Sequence, residues 1–167
     1  IPYRGGYLNP DRGEAREGEV FSPCGAAMMI DRALFLDLGG FDETFFCYGE
    51  DVDLGYRLQL ADQPTLLVPD AVIGHVGSAS SGGRKSEFAV YHGTRNRFWV
   101  LFKNTPWPLL PLVVPLHLAA LVLIYLKPDN RPHIRLILKA VRDAFAGAPA
   151  MFRARRDTQA RRRAPLG

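Results

Sequence analysis

Residues 39–57, GGFDETFFCYGEDVDLGYR, hold five carboxylates, Asp42, Glu43, Glu50, Asp51 and Asp53, beside two glycines and the aromatic side chains Phe41, Phe45, Phe46 and Tyr48. A carboxylate set against apolar surface can have its proton affinity raised toward that of a general base. Leu54, Leu58 and Ala61 recur at helical spacing, so a helix should open near Glu50, and its dipole would favour the ionised form of Glu50, Asp51 and Asp53. The two effects oppose each other, and the sequence leaves the net sign open. Gly39 and Gly40 can take positive φ and let a ligand approach the backbone. The plainer alternative is that the acids cap a helix, with Asp53 and Arg57 as an i,i+4 pair contributing about 0.3 to 0.5 kcal/mol.

Other chemistry-bearing residues are sparser. His75 follows the apolar run AVIG at the end of an expected strand, where an imidazole can face a divalent ion or diphosphate oxygens, or serve structure alone. In the Gly- and Ser-rich loop 78–86, Arg84 and Lys85 can neutralise a diphosphate as the loop closes, or simply form an exposed basic loop. Cys24 and Cys47 have neither metal-ligand spacing nor a disulfide framework, which suits a reducing compartment. The four histidines form no paired zinc motif.

These residues must be positioned by the elements around them. In CGAAMMIDRALFLDLGGFDE, residues 24–43, a strand and a short helix are expected, with Asp31 as N-cap and Gly39 as the C-terminal stop. TLLVPDAVIGHVGSAS, residues 65–80, reads as a strand pair leading to His75. A helix is expected from about residue 86 to 103, with Phe88, Tyr91, Phe98, Trp99 and Phe102 for packing and with Arg95 and Asn96 in YHGTRNRFWVLFKN.

Taken together, residues 24–126 resemble family 2 glycosyltransferases, inverting enzymes of GT-A fold that move a sugar from a nucleotide diphosphate, with bacterial rhamnosyl transfer the nearest resemblance. The resemblance implies an α/β chain forming the C-terminal part of a GT-A fold, and the apolar and amphipathic runs after it read as membrane-associated helices. It implies Asp51 as catalytic base, positioned by Glu50, and an acceptor pocket lined by Gly39, Gly40, Asp42 and Glu43. Arg95 would reach the lipid diphosphate of an acceptor, His75 a metal, and the complete enzyme would use Mg or Mn. Asp51-Val52-Asp53 satisfies the Asp-X-Asp pattern that such enzymes use for metal and nucleotide, but it opens a helix, whereas the family's own pattern follows a strand upstream. No other Asp-X-Asp occurs in the chain. The donor-binding half is therefore expected outside these residues, and this stretch alone should bind donor poorly.

Charge divides the chain. Residues 1–130 carry eleven Lys and Arg against fifteen Asp and Glu, a balance of −4, while residues 131–167 carry ten against two, or +8. Between them WPLLPLVVPLHLAALVLIYL, residues 107–126, has no formal charge and as a straight helix would be about 30 Å long. Pro108, Pro111 and Pro115 argue against a regular helix over its first half, and the remaining run is too short to cross a bilayer. The expectation is an in-plane or re-entrant segment, then an amphipathic helix from about residue 134 to 146 with Ile134, Ile137, Leu138, Val141 and Phe145 on one face and Arg135, Lys139 and Arg142 toward lipid headgroups, or else a buried core helix. The boundaries expected are a catalytic part at 1–104, membrane-associated helices at 105–149 and a basic disordered tail at 150–167.

Expected partners are a nucleotide-sugar donor, a lipid-linked or polysaccharide acceptor and anionic membrane lipid at the cytoplasmic face of a bacterial inner membrane. The tail lacks aromatic interleaving to stack bases, so no nucleic acid is expected. The competing classes are a non-catalytic membrane-surface module that binds glycan or a partner, and a metal-dependent hydrolase built on the clustered acids and His75.

Overall fold

The computed structural model of the chain describes residues 16–75, 82–83, 86–125 and 132–165. Within them the protein is a mixed, mainly helical assembly with a small two-stranded sheet. Strand β1 (Gly18–Val20) pairs antiparallel with β2 (Thr65–Leu67), Glu19 opposite Leu66. Between them lie α1 (Arg32–Asp37), a 3-10 turn at Glu43–Phe45 and α2 (Glu50–Leu60).

Both ends of α1 follow from side-chain chemistry. The Leu34 amide donates to Asp31 Oδ1 at 2.9 Å, capping the first turn. At the other end Gly39 adopts φ +87, the Gly39 amide donates to Leu36 and the Gly40 amide to Phe35, a Schellman stop that satisfies the last carbonyls. The double glycine is thus required by helix termination itself.

The centre of the protein is α3 (Glu87–Asn104), opened by Ser86 Oγ accepting from the Ala89 amide. Its second half is buried on nearly every side, because α2, α4 (Leu110–Tyr125), α5 (Ile134–Ala146) and α6 (Ala148–Ala160) all pack on it. Phe45, Phe98, Trp99, Val100, Phe102, Leu121, Ala144, Ala148 and Met151 form the main core, and Leu38, Leu54, Leu58 and Ala61 a second one between α1 and α2.

Four expectations change. The basic tail is ordered: α6 buries Met151, Arg155 and Thr158, and the amides of Arg163 and Ala164 donate to Leu60 at 2.7 and 3.1 Å, tying the chain back to α2. Ala148, Met151, Arg155 and Thr158 recur at helical spacing and give the basic stretch a buried face that its charge masked. Helix α5 has the expected bounds, but its buried face is Ile137, Ala140 and Ala144 against α3, while Ile134, Leu138 and Phe145 are exposed. The small alanines let the two helices approach closely.

The prolines do not prevent a helix either. A 3-10 turn at Trp107–Leu109 leads into α4, Pro111 lies in the first turn, where its missing N–H costs nothing, and the helix continues through Pro115. Lastly, the expected strands beyond β2 and after Cys24 reduce to a single bridge, Cys24 with Ala27. Met29, Val72 and Ile73 are exposed, strand-like residues with no neighbouring strand to pair with among the described residues.

The α5–α6 corner gives a test of this packing. A Cβ at Gly147 would stand 2.7 Å from the Trp99 ring, whereas one at Gly93, in mid-α3, meets nothing within 4 Å. Gly147→Ala is expected to lose about 1–3 kcal/mol of stability in chemical denaturation by overpacking, and Gly93→Ala to gain about 0.5–1 kcal/mol from helix propensity. Equal effects from the two would refute the packed corner.

Candidate functional site

The site is built where α2 begins. Residues 45–49 carry the chain from the 3-10 turn into α2, and they do so through left-handed backbone: Phe46 at φ 63, Tyr48 at φ 67 and Gly49 at φ 90. For an aromatic residue that conformation costs about 1–3 kcal/mol and persists only when its surroundings impose it. Asn96 supplies the constraint. Its Nδ2 lies 2.9, 2.8 and 2.7 Å from the carbonyl oxygens of Phe45, Cys47 and Tyr48, so its two N–H groups are shared among three acceptors. Arg95 reinforces it, donating from Nε to Asn96 Oδ1 at 2.9 Å and from Nη2 to the Phe45 carbonyl at 3.2 Å, with its guanidinium 4.1 Å from the Trp99 ring centroid.

A second constraint acts on the next turn of α2. Asp53 is fully buried and accepts from Arg57 Nε at 2.9 Å, Lys103 Nζ at 2.9 Å and Asn104 Nδ2 at 2.8 Å. Arg57 also donates at 2.7 Å to the carbonyls of Leu38 and Gly40, and Lys103 at 2.7 Å to Asp42 Oδ2. The α1 stop, the 3-10 turn, α2 and α3 therefore meet on one carboxylate.

Asp51 itself is half-buried at the surface end of α2. Its Oδ2 accepts from the Gly25 amide at 3.0 Å and its Oδ1 from the Val52 amide at 2.8 Å. Ser22 Oγ donates to the Asp51 carbonyl at 3.1 Å. Gly55 admits this strand-side segment, since a Cβ there would stand 2.4 Å from Ser22 Cβ. Each carboxylate oxygen keeps a lone pair beyond its backbone bond, as a base must.

Glu50 is different. Its Oε2 is buried without a hydrogen-bond partner, and its carboxyl is pushed above the ordinary range, by burial first and then by the neighbouring Asp51 charge, against the opposing pull of its own backbone N–H.

The other anticipated residues scatter around this centre. Asp42 caps the 3-10 turn, accepting from the Thr44 amide at 3.0 Å and from the Thr44 hydroxyl. Burial would raise its pKa, but the hydrogen bonds from Lys103 and Thr44 outweigh that and lower it. Gly39 and Glu43 are exposed, and Gly40 is half-buried under Phe35. Arg95 is engaged with the loop and Trp99, as described. His75 is exposed, and Arg84 and Lys85 lie outside the described residues.

For a divalent ion the fit is poor. No three His, Cys, Asp or Glu side chains converge among the described residues, and Asp51 and Asp53 serve different partners. These residues do not make a metal centre.

Sequence reasoning missed Asn96 as the loop's strap and Lys103 and Asn104 as partners of Asp53. The signal available was their position: two polar residues ending the apolar run RFWVLFKN, on a helix otherwise fit to be buried. Also unanticipated is the cluster of Phe46, Phe88 and His92 beside the loop, ring centroids 4.5–6.2 Å apart. Burial and the nearby Arg95 charge lower the His92 pKa.

A strained loop thus delivers the acidic pair Glu50 and Asp51, both half-buried, to the start of α2. More than half of the chain, residues 9–105, matches the family described as Glycosyltransferase like family 2, and the chain belongs to that family. Over 102 residues it is 32% identical to the N-acetylglucosaminyl-diphospho-decaprenol L-rhamnosyltransferase of two strains of Mycobacterium tuberculosis, a stretch covering 61% of this chain and 33% of each relative. The chain thus spans about a third of the length of the curated relatives it matches. No solved structure matches it.

The Glu50 carboxyl gives a pH test. Its folded pKa is raised, so between the ordinary value and the raised one the folded state binds more protons than the unfolded state, and stability falls as pH rises through that window. Glu50→Gln should remove that fall, seen as a flatter dependence of urea unfolding free energy on pH between about 4 and 7. An unchanged slope would mean that Glu50 titrates normally.

Proposed function

We propose that the chain is the acceptor-side, catalytic part of an inverting family 2 glycosyltransferase of GT-A fold, taking part in bacterial surface-glycan synthesis. The observation that carries this reading is the half-buried Glu50-Asp51 pair at the start of α2, with Asp51 fastened to the Gly25 amide. Asp51 takes the proton of the acceptor hydroxyl as that oxygen attacks the anomeric carbon of the donor. The carbon–oxygen bond to the diphosphate breaks, and the nucleoside diphosphate leaves with the electron pair from the opposite face. Glu50, half-buried beside it, sets the local field and the start of the helix.

Glu43 and the exposed Gly39 border the acceptor, and Arg95 acts chiefly by holding loop 45–49. Support for the donor half lying elsewhere comes from Met29, Val72 and Ile73, whose exposed strand-like segments suit pairing with further strands. The similarity to the rhamnosyltransferases favours a deoxyhexosyl donor and a lipid-linked acceptor.

The same reading places the protein at the cytoplasmic face of the membrane. The stretch Trp107–Ile124 is long and apolar enough to cross a bilayer, and only 17% of it is buried. Yet Leu110, His117 and Leu121 are buried, with Val114 and Leu118 packed on the aromatic core, so one side of α4 is committed to the protein. A helix with one protein face and one apolar outer face suits the membrane plane better than a crossing.

In the longest natural chain containing these residues, Asp51→Asn is expected to lower sugar transfer into membrane lipid by about 10²–10⁴-fold, the usual worth of a positioned base, with folding unchanged. Transfer retained by the variant would sink the assignment. No transfer by either folded protein from a panel of nucleotide sugars would favour a glycan- or partner-binding module.

A further inference from the structure

A cavity of about 770 Å³ opens between the α3–α4 connection and α6, away from Asp51, lined by Trp107, Phe152, Arg155, Arg156, Gln159 and Arg162 together with small residues and prolines. Its charged lining is arginine only. Arg155 is 2% exposed, and its Nη1 donates to the Phe102 carbonyl at 3.1 Å, while Nε and Nη2 are buried without a hydrogen-bond partner. Those two atoms are the adjacent donors on one edge of the guanidinium, the edge that grips two oxygens of one anion. The flat face of the group is already used: it lies 4.7 Å from the Trp107 ring centroid, and Trp107 stacks on Phe152 at 5.4 Å with 12° between planes.

A buried cation with two unused donors is costly, and burial lowers the Arg155 pKa accordingly. An anion in the cavity would remove both penalties. The surroundings narrow the kind of anion. Trp107 stands at the mouth and is 62% exposed, as ring systems at a membrane–water boundary are. Next to it Leu109 is exposed, as are Leu112 and Leu116 along α4.

We propose that this cavity binds the phosphoryl group of a lipid: the Nε–Nη2 edge of Arg155 takes two phosphoryl oxygens, Arg156 and Arg162 close the mouth, and the hydrocarbon chain lies along the exposed face of α4. The inference goes beyond the transferase reading and does not need it, because the cavity uses neither Asp51 nor a sugar donor. The phosphoryl group can come from a prenyl diphosphate or from an anionic phospholipid.

The test is flotation of the full natural chain with neutral digalactosyldiacylglycerol vesicles, either plain or doped to equal charge with undecaprenyl diphosphate or with phosphatidylglycerol, followed by flotation and by Trp fluorescence. Doping should tighten binding, and Arg156→Gln with Arg162→Gln should weaken it about tenfold, two charges near the surface being removed. Arg153→Gln with Arg161→Gln removes the same charge outside the cavity and should bind as the parent does. Arg153, Arg156 and Arg161 are exposed and Arg162 is half-buried, so the comparison stands even if Arg155→Gln does not fold. Preference for the prenyl diphosphate identifies a lipid-linked ligand, and equal binding identifies the phospholipid headgroup. Equal weakening by both double variants would overturn the proposal, leaving only diffuse attraction. So would displacement by inorganic diphosphate with no gain from either lipid.

Discussion

A carboxylate taken wholly out of water must be met by positive charge and hydrogen-bond donors, and Asp53 is met by three side chains at once. Arg57, Lys103 and Asn104 reach it from two helices, and two of them are held elsewhere: Arg57 on the carbonyls that end α1, Lys103 on Asp42. Removing one partner from such a cluster costs about 3–5 kcal/mol, because a buried charge is left exposed to low dielectric, although a well-packed apolar replacement of the whole set can be neutral. The worth of the cluster is therefore in position more than in total stability. It fixes the rotation of α2 against α3, and Asp51 rides on that rotation.

The long helix α3 is the other half of the same device. Asn96 and Asn104 stand eight residues apart, two turns of helix, with Val100 between them, so they share one face, and Lys103 adjoins it. That stripe is polar although buried. Its side-chain donors meet the carbonyls of loop 45–49 at one end and the carboxylates of Asp53 and Asp42 at the other, where Asn104 also reaches the Val100 carbonyl. The opposite face is Phe98, Trp99 and Phe102 against α4, α5 and α6. A single helix thus sorts polar from apolar partners, and the left-handed residues Phe46 and Tyr48 can be held because the donors that constrain them sit on a rigid support. At its end, Asn104 also accepts from Gln159, connecting the Asp53 cluster to the arginine-lined cavity on α6.

What the sequence made legible was local. The Asp31 cap, the glycine stop, the start of α2 and the bounds of α5 all depend on residues within a few positions of one another, and each formed as expected. The misread parts depended on distant partners. Arginines at 153, 155 and 156 look like a solvated tail until α3 offers Phe102 O to Arg155 and Leu60 accepts the following amides. Prolines at 111 and 115 look like helix breakers until one falls in a first turn and the other on a helix held from one side by Phe98. The Asp53–Arg57 pair was visible, but its magnitude was not, since the sequence does not say that the pair is buried.

The same limit explains why Asp-Val-Asp at 51–53 is not a metal motif here. Two positions along a helix advance the side chain by about 200°, so residues i and i+2 face nearly opposite ways. Asp51 is therefore carried to the surface beside Gly25 and Asp53 into the core beside Lys103, in very different dielectric surroundings. On an extended strand end or a loop, the same two carboxylates could share one ion; on a helix they take separate partners. A metal bridging both would have to break the buried cluster that orients the pair. The arrangement that denies this pair a shared cation is the one that points the two carboxylates apart, Asp53 to Lys103 and Asn104 and Asp51 to Gly25.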